Sequence, residues 1–298
     1  NFMEIGEKIK RLRSAKLMTQ AELAGEMITR NMLSRIENGA AQPSMATVKY
    51  IAQRLNVSVG FLLAEEEDEI LYFKSAEINN IKKAYVNKDY LLCREMCINS
   101  EWKDDELIFI LSESCIRSGI RAFAHGALRQ AVNFFDEGLE NCYGTIYNTD
   151  HIKSLAQSYF DYMCLISPTL DSNSSYTVET KQLPFLKDPF SVYSSIFLYG
   201  EANGYSNVPM LEERLELLDE KSSFFAHISA KLLIEEKNYE EGYKVLESIL
   251  LKDNYEVPEP MLYFIFGDLE ICCKEIEDFK GAYNYSKCKI DLMQKLLG

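Results

Sequence analysis

Arg30, Asn31, Ser34 and Arg35 are spaced to share one face of a short helix, with Leu33 and Ile36 left for the opposite face. Such a set suits one kind of chemistry. An Arg fork matches guanine O6 and N7, and an Asn amide matches adenine N6 and N7. Thr29 stands at the N-cap position of this helix and Gly39 ends it. Ahead of it, Thr19 followed by Glu22 forms a capping box that opens another helix, with Ala21, Leu23, Ala24 and Met27 as its apolar face. Two short helices joined by a tight turn, the second presenting Arg, Asn and Ser, fit a DNA major groove. Arg30, Asn31 and Arg35, with Ser34 beside them, are the candidates for base edges. Thr19, Gln20 and Asn38, joined by Thr29, are the candidates for the sugar–phosphate backbone.

Holding these side chains requires a small core. Pro43-Ser44 opens a fourth helix with the stripe Val48, Ile51, Ala52 and Leu55, and Val59, Phe61, Leu62 and Leu63 form a short fifth. Residues 3–64 therefore read as a five-helix DNA-binding domain, Met3 being a natural-looking start after Asn1 and Phe2. The acid run Glu65–Glu69 reads as a linker over 65–70 or as the first turn of the next helix. Residues 71–298 form the second domain.

Charge divides the same way. The chain carries a net −14, yet residues 1–64 hold nine Lys and Arg against five Glu, a net +4. The rest holds 23 basic against 41 acidic residues, −18, so a basic head precedes an acidic body. No apolar run nears the roughly 20 residues that span a bilayer, and no export signal opens the chain. The eight cysteines lack CxxC pairs and read as reduced thiols of a cytoplasmic protein.

Catalytic patterns fail on inspection. His125, His151 and His227 lack metal spacing, and no Gly-rich phosphate loop or nucleophile elbow is present. Cys93 and Cys97 at i,i+4 are better explained by core packing than by metal. No enzyme activity, cofactor or metal is expected.

After residue 70 the pattern is helical. Asp89-Tyr90, Asn238-Tyr239 and Asp278-Phe279 each open an amphipathic helix, and Gly126-Ala127 opens a weaker copy. Each follows a longer helical stretch: 71–86, 105–123, 224–237 and 261–276. The spacing, roughly 37–40 residues, lies near the tetratricopeptide period and predicts an α-solenoid of helix hairpins with a concave face. Between the copies, residues 167–190 carry Pro168, Pro184, Pro189 and the run Asp171–Ser175, which predicts a long loop flanked by helices at 151–166 and 189–202.

Residues 4–64 resemble the XRE family, the lambda-repressor-like helix-turn-helix domains. The matching residues are Ile9–Arg13, Leu17–Ala24, Leu33–Gly39, Pro43-Ser44 and Leu55–Val57, and the resemblance covers about a fifth of the chain. The turn departs from the family pattern, since Met27-Ile28-Thr29 is short and lacks the glycine often found there. The resemblance implies that Arg13 and Glu37 form a buried ion pair rather than contacts to DNA.

Such a head followed by tetratricopeptide-like repeats is similar to the RNPP group of Gram-positive regulators. That similarity implies a homodimer, a short signalling peptide in the concave groove, and DNA affinity altered by the peptide, as in quorum sensing. It transfers no groove residue. Asn79, Lys153, Gln157 and Asp161 are of the right kind, although a solvated helix face accounts for them better. Three readings stay open: a ligand-responsive regulator of a double-stranded operator, a regulator whose repeats hold only a protein partner, and an adaptor whose head no longer binds DNA. The intact Arg30/Asn31/Arg35 face speaks against the third.

Overall fold

Most helices of this chain begin on a side chain that takes up their free backbone N–H groups. Thr19, Thr29, Ser44 and Ser58 do so in the first part of the chain, and Asp89, Asp104, Asp188, Ser222 and Asp278 in the second. The computed structural model describes residues 5–64, 66–171, 188–251 and 256–298, with backbone only over 66–72. These form sixteen α-helices and no strand, an all-α fold. The chain divides into two compact units, residues 1–81 and 82–298.

The first unit holds α1 (Ile5–Ala15), α2 (Gln20–Ala24), α3 (Arg30–Glu37), α4 (Met45–Arg54) and α5 (Val59–Leu63). Ile9, Leu23, Leu33, Ile36, Val48, Ile51, Leu55 and Leu62 make its core. The expected stripes of α3 and α4 are buried, but Ala21, Met27 and Leu63 are exposed. Met27 misses the core because α2 stops at Ala24, which leaves it in the turn.

Helix α6 (Glu66–Val86) contains the division between the units. The backbone of the acid run is helical from Glu66, whereas Glu65 and the side chains of the run lie outside the described residues. There follow α7 (Tyr90–Asn99), α8 (Asp105–Ala124), α9 (Leu128–Cys142), α10 (Asp150–Cys164), α11 (Pro189–Asn203), α12 (Leu211–Leu215), α13 (Ser223–Glu235), α14 (Tyr239–Leu251), α15 (Glu259–Glu275) and α16 (Phe279–Leu297). Helices α8 and α9, α13 and α14, and α15 and α16 pack as hairpins.

The copies seen in the sequence share one turn. Helices α6–α7, α8–α9, α13–α14 and α15–α16 are each joined by three residues, the middle one in the left-handed region: Lys88 at φ 61°, Gly126 at 75°, Lys237 at 64° and Glu277 at 63°. In each, the residue after the left-handed one donates its N–H to a carbonyl five residues back, at 2.8–3.0 Å. This closes the preceding helix as a left-handed cap does.

In the middle of the unit the expected loop is partly replaced by structure. Pro168 begins a 3-10 turn ending at Leu170, and Pro189 is the first residue of α11, where a missing N–H costs nothing. The run Ser172–Ser175 and Pro184 lie outside the described residues. Helices α10 and α11 pack on each other where the missing repeats were expected.

A buried polar chain crosses this region. The Tyr162 and Tyr193 hydroxyls are 3.2 Å apart, and Tyr193 Oη meets His227 Nδ1 at 2.8 Å. His227 Nε2 meets Asp268 Oδ2 at 2.9 Å, while Lys231 Nζ reaches Asp268 Oδ1 at 2.8 Å and Glu201 Oε1 at 2.7 Å. Burial pushes the His227 imidazole below its ordinary value, against the hydrogen bond and charge of Asp268. Burial also opposes ionisation of Asp268, but the His227 hydrogen bond and the Lys231 charge outweigh it and hold the carboxyl low.

The array returns on itself at Gly126. A Cβ there would sit 2.6 Å from Glu259 Oε2 and 2.9 Å from Leu296 Cδ2. Nearby, Arg129 Nε donates to the Leu297 carbonyl at 3.1 Å. Gly126→Ala is expected to lower stability by about 1–3 kcal/mol, through left-handed strain and crowding together. Glu277→Gly, at an open position of the same turn, is expected to raise it by roughly 0.5 kcal/mol, the strain relief being partly offset by chain entropy. Urea melts followed by Trp102 fluorescence check the opposite signs.

Candidate nucleic-acid interface

The outward face of α3 is set by what its inner face buries. Leu33, Ile36 and Glu37 are buried, so the 100° step leaves Asn31, Arg35 and Asn38 directly opposite, with Arg30 and Ser34 on the flank. Arg30, Asn31, Arg35 and Asn38 are exposed and Ser34 is half-buried. Met32 occupies the other flank, 38% exposed. The sequence reading passed over it because an apolar residue near Leu33 reads as core.

Caps fix both ends. The Thr29 hydroxyl accepts from the Met32 N–H at 3.1 Å, and Asn38 forms the C-terminal cap. Among the described residues Arg35 reaches only the Ala40 carbonyl, at 3.4 Å. At the start of α2, Thr19 Oγ1 accepts from Glu22 N–H and Glu22 Oε2 accepts from Thr19 N–H, at 3.2 and 2.6 Å, completing the expected capping box.

The turn does carry a glycine, which corrects the sequence reading. Helix α2 ends one turn earlier than expected, at Gly25, whose φ is +55°. A Cβ there would lie 2.3 Å from Tyr50 Oη, which itself donates to the Ala24 carbonyl at 3.0 Å. Arg54 donates to the Glu22 carbonyl. Two side chains of α4 thus satisfy the carbonyls at the end of α2, where helices are left with unpaired acceptors.

Beneath the face lies the ion pair implied by resemblance. Arg13 Nε donates to Glu37 Oε1 at 2.7 Å and Nη2 to Oε2 at 3.0 Å, while Nη1 takes the Met18 carbonyl at 2.7 Å. Gln20 Nε2 adds a bond to Glu37 Oε2 at 2.8 Å. Burial works against ionising Glu37, but the hydrogen bonds from Arg13 and Gln20, with the charges of Arg13 and Lys10, outweigh it and hold the carboxyl below its ordinary 4.5. The same hydrogen bond raises Arg13. Glu37 thereby ties α1, α2 and α3 together, and Gln20 is held from beneath. Lys8 is also internal, with Nζ on the Ala64 carbonyl at 3.2 Å and 4.4 Å from the centre of the Phe61 ring. Not all of the head's positive charge is therefore at its surface.

Residues 9–62 match the family described as helix-turn-helix. The head is a helix-turn-helix domain of the XRE type. Over 84 residues the chain is 34% identical to the HTH-type transcriptional activator BcrR of Enterococcus faecalis, covering 28% of this chain and 41% of that protein. Over 118 residues it is 27% identical to the immunity repressor of Bacillus phage phi105, covering 38% of this chain and 82% of the repressor. The chain thus spans about two fifths of the activator's length. Bacillus thuringiensis PlcR, solved with the peptide PapR7 and DNA, aligns over 98% of this chain and 96% of its own at 14% identity, with a TM-score of 0.25. A superposition that loose carries no weight for this chain's ligand.

The other sequence candidates sit elsewhere. Gln157 donates to Asp161 at 2.6 Å along one face of α10, and Asn79 is exposed on α6. Cys93 and Cys97 are buried, and Ser114 Oγ donates to Cys93 Sγ at 3.2 Å. Among the described residues no cluster of His, Cys, Asp and Glu could hold a metal, and no helix is long and apolar enough to cross a membrane.

The depressed Glu37 carboxyl gives a signed prediction. A carboxylate whose folded value lies below its unfolded value adds stability that is complete above the unfolded value and lost as pH falls through the folded one. Protection of α1–α3 amides is therefore expected to decline below about pH 4.5. Glu37→Gln should lower the opening free energy of this region by about 3 kcal/mol at pH 7, since Arg13 loses its partner, and flatten that acid limb. Hydrogen exchange by mass spectrometry over residues 5–40 reads both effects.

Proposed function

We propose that the chain is a sequence-specific DNA-binding transcriptional regulator whose second unit dimerises and senses a diffusible ligand, a short signalling peptide. The observation that carries the DNA half is the α2–turn–α3 arrangement, with Asn31 and Arg35 exposed opposite buried Leu33, Ile36 and Glu37 and Arg30 exposed on the flank. Arg35 and Arg30 serve guanines, Asn31 an adenine, and Met32 offers apolar surface of the kind that meets a thymine methyl. Thr19, Gln20, Thr29 and Asn38 fix register on phosphates, and Ser34 takes either a base edge or backbone. A dimer reads a pseudo-palindrome with half-sites about one or two helical turns apart. The acidic composition of residues 65–298 favours an orientation that keeps the body off the phosphates.

The ligand half is supported by hairpins at a near-tetratricopeptide period, an architecture that builds concave surfaces. A domain of this kind gates DNA binding if its ligand has different affinities for two arrangements of the dimer.

Selection from random double-stranded DNA at fixed salt supplies the operator, and fluorescence anisotropy measures affinity. Arg35→Ala is expected to weaken the selected site by about 1–3 kcal/mol while leaving scrambled DNA and the melting temperature unchanged. Equal losses on both DNAs would overturn base readout by Arg35. Failure to enrich any sequence would overturn the DNA-binding reading.

A further inference from the structure

One face of α8 opens on a cavity of about 220 Å³, between the start of α7 and the first half of α9. Ser118, Arg121, Ala122 and His125 follow at helical spacing along that face. The 100° step sets Ile116 and Phe123, both part of the core, opposite them. Leu91 of α7 and Phe134 of α9 stand at its sides. The space is smaller than the roughly 300–1,000 Å³ of drug-sized sites. An apolar cavity of roughly 150 Å³ holds benzene, so there is room here for a ring and a short polar arm.

Arg121 is the group that the fold leaves unused. The second unit has five arginines. Arg94 and Arg117 meet carboxylates, at 2.8 and 3.6 Å, Arg129 meets the Leu297 carbonyl and Arg214 the Ser195 hydroxyl. The Arg121 guanidinium bonds to none of the described residues, although this part of the chain is rich in carboxylates. On a flat surface that would mean little.

The setting gives it meaning. Leu91, Ala122 and Phe134 make an apolar wall, and Leu91 is 49% exposed. No Asp or Glu lines the cavity, and Arg121 is its only Arg or Lys. The Arg94 guanidinium, 5.6 Å from the Phe134 ring, is already taken by Glu137. A carbonyl only accepts, so His125 turns Nδ1–H onto the Arg121 carbonyl, at 2.8 Å, which fixes its ring at the rim. A fork of N–H donors beside an apolar wall matches a carboxylate on a hydrocarbon body. An amino acid fits less well, because its ammonium finds no carboxylate in the lining.

We infer that this cavity binds a small apolar carboxylate without an amino group, an aryl or branched alkyl acid. The acid sits on Arg121, with the Gln130 amide on its second oxygen, and the hydrocarbon lies against Leu91, Ala122 and Phe134. The site shares no residue with the α2–α3 face and does not depend on peptide sensing. Helix α7 and the α8–α9 pair belong to consecutive hairpins, so a molecule held there joins them.

The test uses the full chain with phenylacetate, phenylalanine, phenethylamine and N-acetylphenylalanine, read by calorimetry and thermal shift. Phenylacetate is expected to raise the melting temperature and to bind about tenfold more tightly than phenylalanine or phenethylamine. Arg121→Gln breaks no bond among the described residues, so the ligand-free melting temperature should stay unchanged while binding weakens about tenfold. Arg121→Lys, which keeps the charge but loses the fork, should recover part of that loss. Leu91→Glu, at an exposed position, should also spare folding and abolish binding by setting a like charge against the acid. Equal binding of the acid, the amino acid and the amine overturns the charge assignment. A preference for the acid that survives Arg121→Gln, or binding that survives Leu91→Glu, places the ligand elsewhere and overturns the site. Tighter binding of N-acetylphenylalanine than of phenylacetate overturns the free small acid in favour of a chain end. No saturable binding at millimolar concentration, by a chain that still melts cooperatively, overturns the proposal as a whole.

Discussion

A three-residue link that reverses one helix onto the next must send a residue through the left-handed region, and the body of this protein depends on doing so repeatedly. Lys88, Gly126, Lys237 and Glu277 take that role, and three of the four pay a steric cost that glycine would avoid. The return is uniform geometry, since each link closes the preceding helix with the same hydrogen bond and starts the next helix at the same position. With the links fixed, burial can be repetitive: Gly119 packs against Phe135 and Gly138 against Ile116 across one hairpin, and Gly242 against Ile234 across another. At the single glycine link another hairpin stands close by. There the constraint is no longer the backbone angle alone but the space that Glu259 and Leu296 take up.

The head solves a different problem with the opposite device. Its helices are too short to be stable by themselves, so a charged residue ties them together. Glu37 is buried on α3, receives Arg13 from α1 and Gln20 from α2, and stays ionised because those donors outweigh its desolvation. The outer face of α3 is thereby relieved of structural duty. Removing a surface Arg or Asn from it costs little packing, whereas removing Glu37 strands a guanidinium. The proposed recognition face can change while the scaffold is kept, because different residues of one eight-residue helix would carry the two tasks.

What was legible in the sequence followed from local rules. The capping box at Thr19, the N-caps at Thr29 and Ser44, and the stripes of α3 and α4 depend on residue type and spacing alone, and all are found. The hairpin copies were visible because an Asp or Asn before an aromatic marks three of the four second helices. The turn after α2 was misread for a physical reason: Met27 extends an apolar periodicity past the point where Gly25, clamped by Tyr50, ends the helix. Left-handed Lys88, Lys237 and Glu277 carry no compositional mark at all. The proposed DNA contacts are legible as residue types on a face, which is less than legible as contacts.

Two tyrosines of α10 serve the body in different ways. From Tyr162 through Tyr193 and His227 to Asp268, Lys231 and Glu201, donors meet acceptors and opposite charges meet, so the chain of bonds pins four helices at little net cost. A few residues away on the same α10, Tyr159 is 4% exposed where Tyr162 is fully buried, and it contributes through its ring, stacked on Phe190 at 4.1 Å and edge-on to Phe123 at 4.9 Å.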